Sequence, residues 1–334
     1  TGCTSIWGNS SPSTPYTANK AGKGPAWSNS LFEDNAEFGY GMLLAQQAIR
    51  DGLKAKVEEV AANENATAEV KAACQEWLDT FGVGATNGAA TDKLVAALEN
   101  VDCPTCKDIV KNKDFLAKKS QWIFGGDGWA YDIGFNGVDH VLASGKDINI
   151  MVFNTEVYSN TGGQSSKATP TGAVAQFAAG GKEVKQKDLA AIAMSYGYVY
   201  VAQISMGADM NQTIKAIAEA EAYPGPSLII AYAPCINHGI KKGMAKAQTE
   251  EKLAVQSGYW NLFRFNPAAE GKKFSLDCKP ATVDYQEFIK GEVRYTSLAL
   301  KNPARAEKLF AKAEQNAKDK YAYLEKLVTL YDEK

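Results

Sequence analysis

Two short polar segments, each placed directly after an apolar run, are the part of this chain best suited to chemistry. Gly126-Asp127-Gly128 follows the first run, and Asn154-Thr155 follows the second, 27 residues after Asp127. When two parallel strands are joined by a right-handed helical crossover, both strands end at the same edge of the sheet, about 4.8 Å apart. We therefore expect Asp127 and Asn154-Thr155 to converge on one ion.

The residue types at this edge favour a magnesium ion that carries a diphosphate. Glycines let the backbone approach a ligand closely, and a helix N-terminus beyond them favours an anion. Mg²⁺ usually takes one or two carboxylates plus substrate phosphates in an octahedron. Two diphosphate oxygens, the Asp127 carboxylate, the Thr155 hydroxyl, a backbone carbonyl near Val157 and one water complete such an octahedron.

Two other interpretations of the glycines compete with this one. Gly-Asp-Gly alone is typical of a tight turn, but the strand before it, the helix after it and Asn154 favour a site. A nicotinamide-binding loop needs a third glycine where this chain has Tyr131. Gly82-Val83-Gly84 lacks its third glycine at Asn87 and has no strand before it.

Strands that alternate with helices surround this edge and indicate an α/β fold. We expect strands over 121–124, 148–153, 198–204 and 227–232, and helices over 129–144, 188–195 and 209–222. In the first of these helices, Ile133, Val138, Val141 and Leu142 are expected to face the core. The alternation predicts a doubly wound, mainly parallel sheet.

Four regions are predicted along the chain. They are an irregular segment over 1–34 that packs on the core, a helical flanking region or insertion over 35–120, the α/β core over 121–265, and a mostly helical C-terminal extension over 266–334. Asn35 is expected to cap the first helix, and a turn over 82–88 is expected to separate later helices.

Composition excludes several classes of protein. Lys and Arg number 36 against 38 Asp and Glu, a net charge of −2, and this balance disfavours a nucleic-acid binder. No apolar run approaches the ~20 residues of a membrane span, and no signal peptide is visible at the start. Six cysteines are too few for a disulfide scaffold, so we expect a reduced, cytoplasmic protein. With only His140 and His238, a histidine-rich metal site or a Ser-His-Asp triad is disfavoured.

The longer motifs are similar to those of the pyruvate:ferredoxin (flavodoxin) oxidoreductase family. Gly-Asp-Gly followed by about 26 residues and Asn resembles the thiamine diphosphate fingerprint. The matching segments are 125–134, 154–164, Thr1-Gly-Cys3, Tyr232-Ala-Pro-Cys235 and 258–267. The similarity covers essentially the whole chain and corresponds to the C-terminal thiamine diphosphate-binding domain of the single-chain enzyme, so further domains are expected in the same enzyme.

The resemblance implies roles for particular residues. Asp127, the Thr155 side chain and the Val157 carbonyl would bind Mg²⁺. Residues 126–129, namely Gly126, Asp127, Gly128 and Trp129, together with 155–160, would surround the diphosphate and thiazolium. Asn160 would lie beside the reacting carbon and the pyruvate. Many thiamine enzymes have a second Asn where this chain has Thr155, whose hydroxyl still offers an oxygen.

The resemblance also implies that Cys3 and Cys235 are two of the four ligands of a [4Fe–4S] cluster. From the residues alone, a lone cysteine is more typical of a small buried apolar side chain. Cys103-Pro-Thr-Cys106 can be half of a zinc or iron–sulfur site, a redox pair or a structural pair, and the family places its ligand CxxC upstream of Cys3. We therefore favour a structural or incidental role for Cys103 and Cys106.

The activity that the resemblance implies is oxidative decarboxylation of pyruvate with coenzyme A to acetyl-CoA and CO₂. Electrons would pass through [4Fe–4S] clusters to ferredoxin or flavodoxin, and the enzyme would be a homodimer. The thiamine-activating Glu of the family lies on another domain, so this chain is expected to be inactive alone. Two alternatives stay open: a thiamine diphosphate-dependent 2-oxoacid enzyme without clusters, and a non-catalytic α/β module.

Overall fold

A computed structural model describes residues 18–20, 22, 24–28, 30 and 33–332 of the 334. Within the described residues, no helix is both long enough and apolar enough to cross a membrane. The chain divides into two compact units. One comprises residues 39–121, and the other comprises the described residues of 1–38 and 122–334. The four regions expected from the sequence stay a prediction.

The unit over 39–121 is helical. Helix α1 (Asn35–Ala62) enters it and is followed by α2 (Ala68–Asp79), α3 (Gly84–Leu98) and α4 (Pro104–Lys111). Its core contains the buried side chains of Trp77, Leu94, Leu98 and Ile109, and the Trp77 indole donates to the Thr91 hydroxyl at 3.2 Å. Burying an aromatic side chain with its polar atom paired keeps the full apolar gain of about 1.5–3 kcal/mol.

The α/β unit contains one six-stranded sheet. Its strands are β1 (Trp122–Gly126), β2 (Ile148–Asn154), β3 (Tyr200–Ile204), β4 (Pro226–Tyr232), β5 (Phe263–Phe265) and β6 (Phe274–Leu276), in the spatial order β1-β2-β4-β3-β5-β6. The first four are parallel, and β5 and β6 extend the sheet antiparallel beyond β3. β2 and β4 are almost entirely buried, as expected for central parallel strands.

Helices connect these strands and follow them. A π-helical turn (Gly128–Ile133), α5 (Phe135–Ala143), α6 (Leu189–Met194), α7 (Met210–Ala222) and α8 (Ala247–Gln256) lie along the sheet region of the chain. The C-terminal part contains α9 (Tyr285–Lys290), α10 (Val293–Lys301) and α11 (Pro303–Leu330). The mainly parallel α/β class and the helical tail are thus confirmed.

Several local predictions were wrong in detail. Asn35 lies inside the first turn of α1 and donates to the Phe124 carbonyl at 2.7 Å, so it does not cap the helix. α3 begins at Gly84, within the predicted turn, because the backbone amides of Thr86 and Asn87 bond to the Val83 carbonyl. The expected helix over 129–144 is divided into a π turn and α5.

Ile133 is 55% exposed and does not face the core, whereas Val138, Val141 and Leu142 do. A π turn advances by more residues than an α turn, so the helical spacing counted from Ile133 no longer indicates a common face. The antiparallel strands β5 and β6 have three residues each. This is too short for an alternation of apolar and polar residues to be recognised in the sequence.

Candidate functional site

The two polar segments meet at the carboxyl edge of the sheet. Gly126 of β1 pairs with Phe153 of β2, so Asp127 and Thr155 both directly follow neighbouring strand ends. The Asp127 Oδ1 atom accepts from the Thr155 backbone amide at 3.0 Å and lies 2.8 Å from the Thr155 hydroxyl oxygen. The convergence expected for Asp127 and Thr155 is present in the structure, whereas the Asn154 side chain bonds to the Glu156 amide and the Tyr131 hydroxyl.

Further oxygen atoms lie around the Asp127 carboxylate. The Thr155 hydroxyl is also 3.1 Å from the Val157 carbonyl oxygen, and Ser166 donates to Asp127 Oδ2 at 2.6 Å. A hydroxyl has one proton, so Thr155 cannot donate to Asp127 and to Val157 at once. One carboxylate, one hydroxyl and one carbonyl therefore converge with a single proton between them, which is a donor set that suits a hard cation.

Burial raises the pKa of Asp127 to about 7, although bonds from Ser166 and Thr155 act in the opposite direction. The carboxylate is fully buried, and within the described part of the chain no lysine or arginine pairs with it. An ionised carboxylate in such surroundings is costly unless a cation compensates it. The electrostatics of this position agree with the donor set: both fit a bound divalent cation.

The loop that follows Thr155 contains a residue with strained backbone geometry, Glu156, which lies between Thr155 and Val157. Glu156 has a φ of 60°, a left-handed conformation that non-glycine residues seldom adopt. Its amide donates to Asn154 Oδ1 at 3.1 Å, and its carbonyl accepts from the Thr169 hydroxyl at 2.5 Å. These bonds hold the reversal that brings the Val157 carbonyl back towards the Thr155 side chain. Strain of this kind often marks functional sites.

A buried ionic network anchors the Glu156 side chain. Arg294 donates to Glu156 Oε2 at 2.8 Å and to Glu292 Oε2 at 2.6 Å, and all three side chains are at most 1% exposed. The Tyr259 hydroxyl donates to the same Glu156 oxygen at 2.5 Å, and Gln186 donates to the other at 2.9 Å. Burial lowers the pKa of Arg294, but Glu292 and other neighbours raise it more, so the guanidinium stays charged.

His238 links this network to the Thr155 backbone. Its Nε2 atom is 2.7 Å from the Thr155 carbonyl oxygen, and its Nδ1 atom is 3.6 Å from Glu292 Oε1. Burial lowers the pKa of His238 well below its ordinary value, so the imidazole is neutral and Nε2 carries the proton that it donates. Burial also raises the pKa of Glu292 to about 7.

Glycines make room for the aromatic side chains beside the site. Gly125 and Gly134 lie against the Trp129 indole, where a Cβ at either position would meet ring atoms at 2.1 Å. The Gly134 amide donates to the Trp129 carbonyl at 2.8 Å, which is the i→i−5 bond that defines the π turn. A Cβ at Gly128 would lie 2.6 Å from the Tyr158 ring. Gly125, Gly128 and Gly134 are therefore required sterically, whereas a Cβ at Gly126 would meet only the Phe153 carbonyl oxygen at 3.9 Å.

Trp129 is 1% exposed, and its side chain fills the interior. Its indole nitrogen has no hydrogen-bond partner among the described residues. Asn160 is an exposed residue five positions after Thr155 in the same loop. The cofactor contacts expected for Trp129 and Asn160 stay predictions.

Cys235 lies three residues beyond β4, beside the loop that follows β2. Its sulfur contacts the Ser159 hydroxyl and accepts from the amide and side chain of Asn237 at 3.4 and 3.6 Å. The thiol is buried, and Ser159 is the neighbour of Asn160 in the chain. These bonds make Cys235 the N-cap of a short 3₁₀ turn over Ile236–His238. Cys3, its expected companion, lies outside the described residues.

The sequence did not indicate every residue that builds the site. Ser166 falls in a polar loop with no motif of its own, and Glu156, Glu292 and Arg294 are distant in the chain. The one available signal for the ionic network is the Glu-x-Arg spacing of Glu292 and Arg294, which is common on protein surfaces and therefore uninformative. Their burial is a property of the folded chain alone.

A model of a known protein family matches the part of the chain that contains this site. Residues 110–231 match the family model described as "Thiamine pyrophosphate enzyme, C-terminal TPP binding domain". That stretch contains Asp127, Thr155, Val157 and Ser166, and also the whole of β1 to β3.

Relatives among curated proteins extend along nearly all of this chain. The pyruvate-flavodoxin oxidoreductase of Klebsiella pneumoniae is 53% identical over 332 residues, and the pyruvate:ferredoxin oxidoreductase of Moorella thermoacetica is 55% identical over 337 residues. Each alignment covers 98% of this chain and 28% of the relative, so the chain spans little more than a quarter of these proteins. The pyruvate dehydrogenase [NADP(+)] of Euglena gracilis is 47% identical, with 95% of this chain and 18% of that protein covered.

Among solved structures, a 2-oxoglutarate:ferredoxin oxidoreductase from Magnetococcus marinus is matched with a TM-score of 0.33 and 21% identity. The match covers 35% of this chain and 40% of that one. A likeness of this size is too weak to add to the description of the site.

Proposed function

We propose that this chain, which carries a thiamine pyrophosphate enzyme C-terminal domain and resembles pyruvate:ferredoxin and pyruvate:flavodoxin oxidoreductases over nearly its whole length, supplies the magnesium–diphosphate half of their thiamine site. The observation that carries the proposal is the fully buried Asp127 carboxylate, with the Thr155 hydroxyl and the Val157 carbonyl beside it. Asp127, Thr155 and the Val157 carbonyl would hold Mg²⁺, which would bridge to the diphosphate.

The surrounding residues would orient the cofactor. Gly126 and Gly128 would let the backbone approach the diphosphate. The buried Trp129 side chain would hold the π turn that follows Asp127 in place. Ser166 would keep Asp127 oriented through its 2.6 Å bond. His238 and the Glu156–Arg294–Glu292 network would hold the Thr155 backbone in place, since neighbours of metal ligands commonly set ligand orientation.

The proposed reaction is oxidative decarboxylation of pyruvate with coenzyme A to acetyl-CoA and CO₂. Thiamine diphosphate, when bound, supplies a carbon nucleophile for the keto carbon and a sink for the electrons of decarboxylation. Asn160 would lie beside the reacting carbon and hydrogen-bond to the substrate. The protein's part is to position the cofactor and to exclude competing groups.

Cys235 would be one ligand of a [4Fe–4S] cluster, with Cys3 a second. In support, the Cys235 sulfur is buried, receives two N–H···S bonds and lies beside the loop that carries Asn160. No group of three or more His, Cys, Asp or Glu side chains among the described residues could hold a metal ion. The remaining cluster ligands would therefore be residues other than those described.

Other parts of the enzyme would complete the site and pass electrons on. The acceptor would be ferredoxin or flavodoxin, as the names of two relatives indicate, while a third relative is named for NADP⁺. A homodimer and a cytoplasmic location are proposed with the rest of the enzyme.

Binding of thiamine diphosphate to the 334-residue chain tests the proposal. Calorimetric titration is performed with and without Mg²⁺, on wild type and on Thr155→Val. We expect binding that requires Mg²⁺ and that weakens at least about tenfold in the variant, because a metal ligand is lost. Thr213→Val is the matched control, since Thr213 is equally buried and donates only to a helix carbonyl. Binding that is indifferent to Mg²⁺, or equal in the two variants, would contradict the proposal.

A further inference from the structure

Cys103 and Cys106 occupy the first turn of α4 in different environments. Cys103 is the N-cap, with Pro104 at the first helical position, and its sulfur accepts from the Cys106 amide at 3.4 Å. Cys103 is half-buried, whereas Cys106 is 2% exposed and belongs to the core of the helical unit. A sulfur at an N-cap faces the unpaired amides of the first turn, which stabilise negative charge there.

The two thiols share the first turn of α4, and the Cys106 thiol is placed to donate to Cys103. That bond from Cys106, followed by its backbone amide, lowers the pKa of Cys103. Burial raises the pKa of Cys106 to about 12, and the neighbouring Cys103 adds to the effect. The pair is thus asymmetric: the accessible sulfur is favoured as thiolate and the buried sulfur as thiol.

A metal site does not account for this pair within the part of the chain described. No cluster of three or more potential ligand side chains there could hold a metal ion. Cys74 is the third thiol of the same core; it is fully buried, and burial raises its pKa to about 11. A buried thiol of this kind is inert, which leaves Cys103 as the reactive sulfur of the unit.

We propose that Cys103 and Cys106 form a thiol–disulfide exchange site that reacts with low-molecular-mass disulfides and closes to an intramolecular disulfide. The site lies in the helical unit and is independent of the proposed thiamine chemistry. An accessible nucleophile at a helix N-terminus, with a second thiol one turn later, is the arrangement that such exchange requires.

The exchange balances in two steps. The Cys103 thiolate attacks one sulfur of the small disulfide RSSR, so a Cys103–SR bond forms, the S–S bond of RSSR breaks, and RS⁻ leaves. Cys106 then attacks the Cys103 sulfur, expels the second RS⁻ and releases its proton. Together with the proton that Cys103 releases when it ionises, the dithiol loses two protons and two electrons, and RSSR takes them up to become two RSH.

The test uses the 334-residue chain and oxidised glutathione as the probe. After anaerobic reaction, free thiols are alkylated and each cysteine is assigned by peptide mass mapping. We expect a Cys103–Cys106 disulfide in wild type and in Cys74→Ser, and no disulfide or glutathione adduct at this site in Cys103→Ser. In Cys106→Ser the glutathione adduct is trapped on Cys103.

Cys278 provides an internal reference, because it is also half-buried but burial raises its pKa. In Cys106→Ser, the adduct should form on Cys103 on the order of tenfold faster than on Cys278. If that variant fails to fold, the pH dependence of iodoacetamide alkylation of Cys103 and Cys278 in wild type gives the same comparison. Equal rates at the two cysteines, or a bridge between Cys74 and Cys106, would overturn the proposal.

Discussion

Replacing Asp127 by Asn is expected to stabilise the metal-free chain while abolishing its magnesium site. In the folded chain, burial raises the pKa of the Asp127 carboxyl from its ordinary 3.8 to about 7. An acid whose pKa is higher in the folded state binds its proton more tightly there. Its ionisation therefore costs stability as pH rises from about 4 to about 7, and the full cost remains above that range.

The size of this cost follows from the two pKa values. A difference of about three corresponds to about 4 kcal/mol, since each pH unit is worth about 1.4 kcal/mol. Asn has nearly the shape of a protonated Asp, can accept from Thr155 and bears no charge. We therefore expect Asp127→Asn to be more stable than wild type by about 2–4 kcal/mol at about pH 8, and to match it near pH 4.

Urea unfolding in the presence of EDTA measures this difference at a series of pH values. Glu292, whose pKa burial also raises to about 7, contributes to the pH dependence of both proteins and cancels in the comparison. Addition of Mg²⁺ and thiamine diphosphate should reverse the order, because wild type alone can bind them. A variant that is less stable than wild type at every pH would refute the view that Asp127 is an uncompensated buried anion.

Further outcomes follow from the packing and charge of the described residues and from the proposed half-site. Arg294→Ala should lower the free energy of unfolding by about 3–5 kcal/mol, because Glu156 and Glu292 are left buried without their cation. Arg305→Ala removes an exposed ion pair with Glu183 and should cost less than about 1 kcal/mol in the same urea titration. Gly134→Ala places a Cβ against the Trp129 indole and should cost about 1–3 kcal/mol. Gly88→Ala, at an exposed helical position with open space, should instead stabilise by about 0.5–1 kcal/mol, so equal calorimetric melting shifts would contradict the steric explanation. The isolated chain should release no CO₂ from pyruvate even with magnesium and thiamine diphosphate, because it is proposed to hold only half of the site; isotope-traced turnover by the purified chain would refute this.

Much of the sheet could be predicted because its strands are apolar runs that end at glycines or polar residues in the sequence. The strand at β2 is almost wholly apolar and bounded by polar residues, and the glycines around Asp127 mark a strand end, so the convergence of Asp127 and Thr155 could be predicted. Helix starts were less accurate: the Asn35 side chain bonds to the distant Phe124 carbonyl instead of capping α1, and α3 begins at Gly84 through local backbone bonds to the Val83 carbonyl.

The surroundings of the site depend on long-range packing and could not be predicted in the same way. Arg294 reaches Glu156 across 138 positions of the chain, and Ser166 reaches Asp127 across 39. Neither contact leaves a period or a motif in the sequence. The left-handed backbone of Glu156 is likewise invisible there, since the residue type argues against that conformation.

The position of the metal is the most direct test of the account. Crystals of the chain grown with thiamine diphosphate and Mn²⁺ in place of Mg²⁺ locate the ion by its anomalous scattering. We expect one peak bonded to Asp127 Oδ, Thr155 Oγ1 and the Val157 carbonyl oxygen, and loss of that peak in Asp127→Asn. A peak that lacks the Asp127 carboxylate as a ligand, or that persists in the variant, would contradict the proposed site.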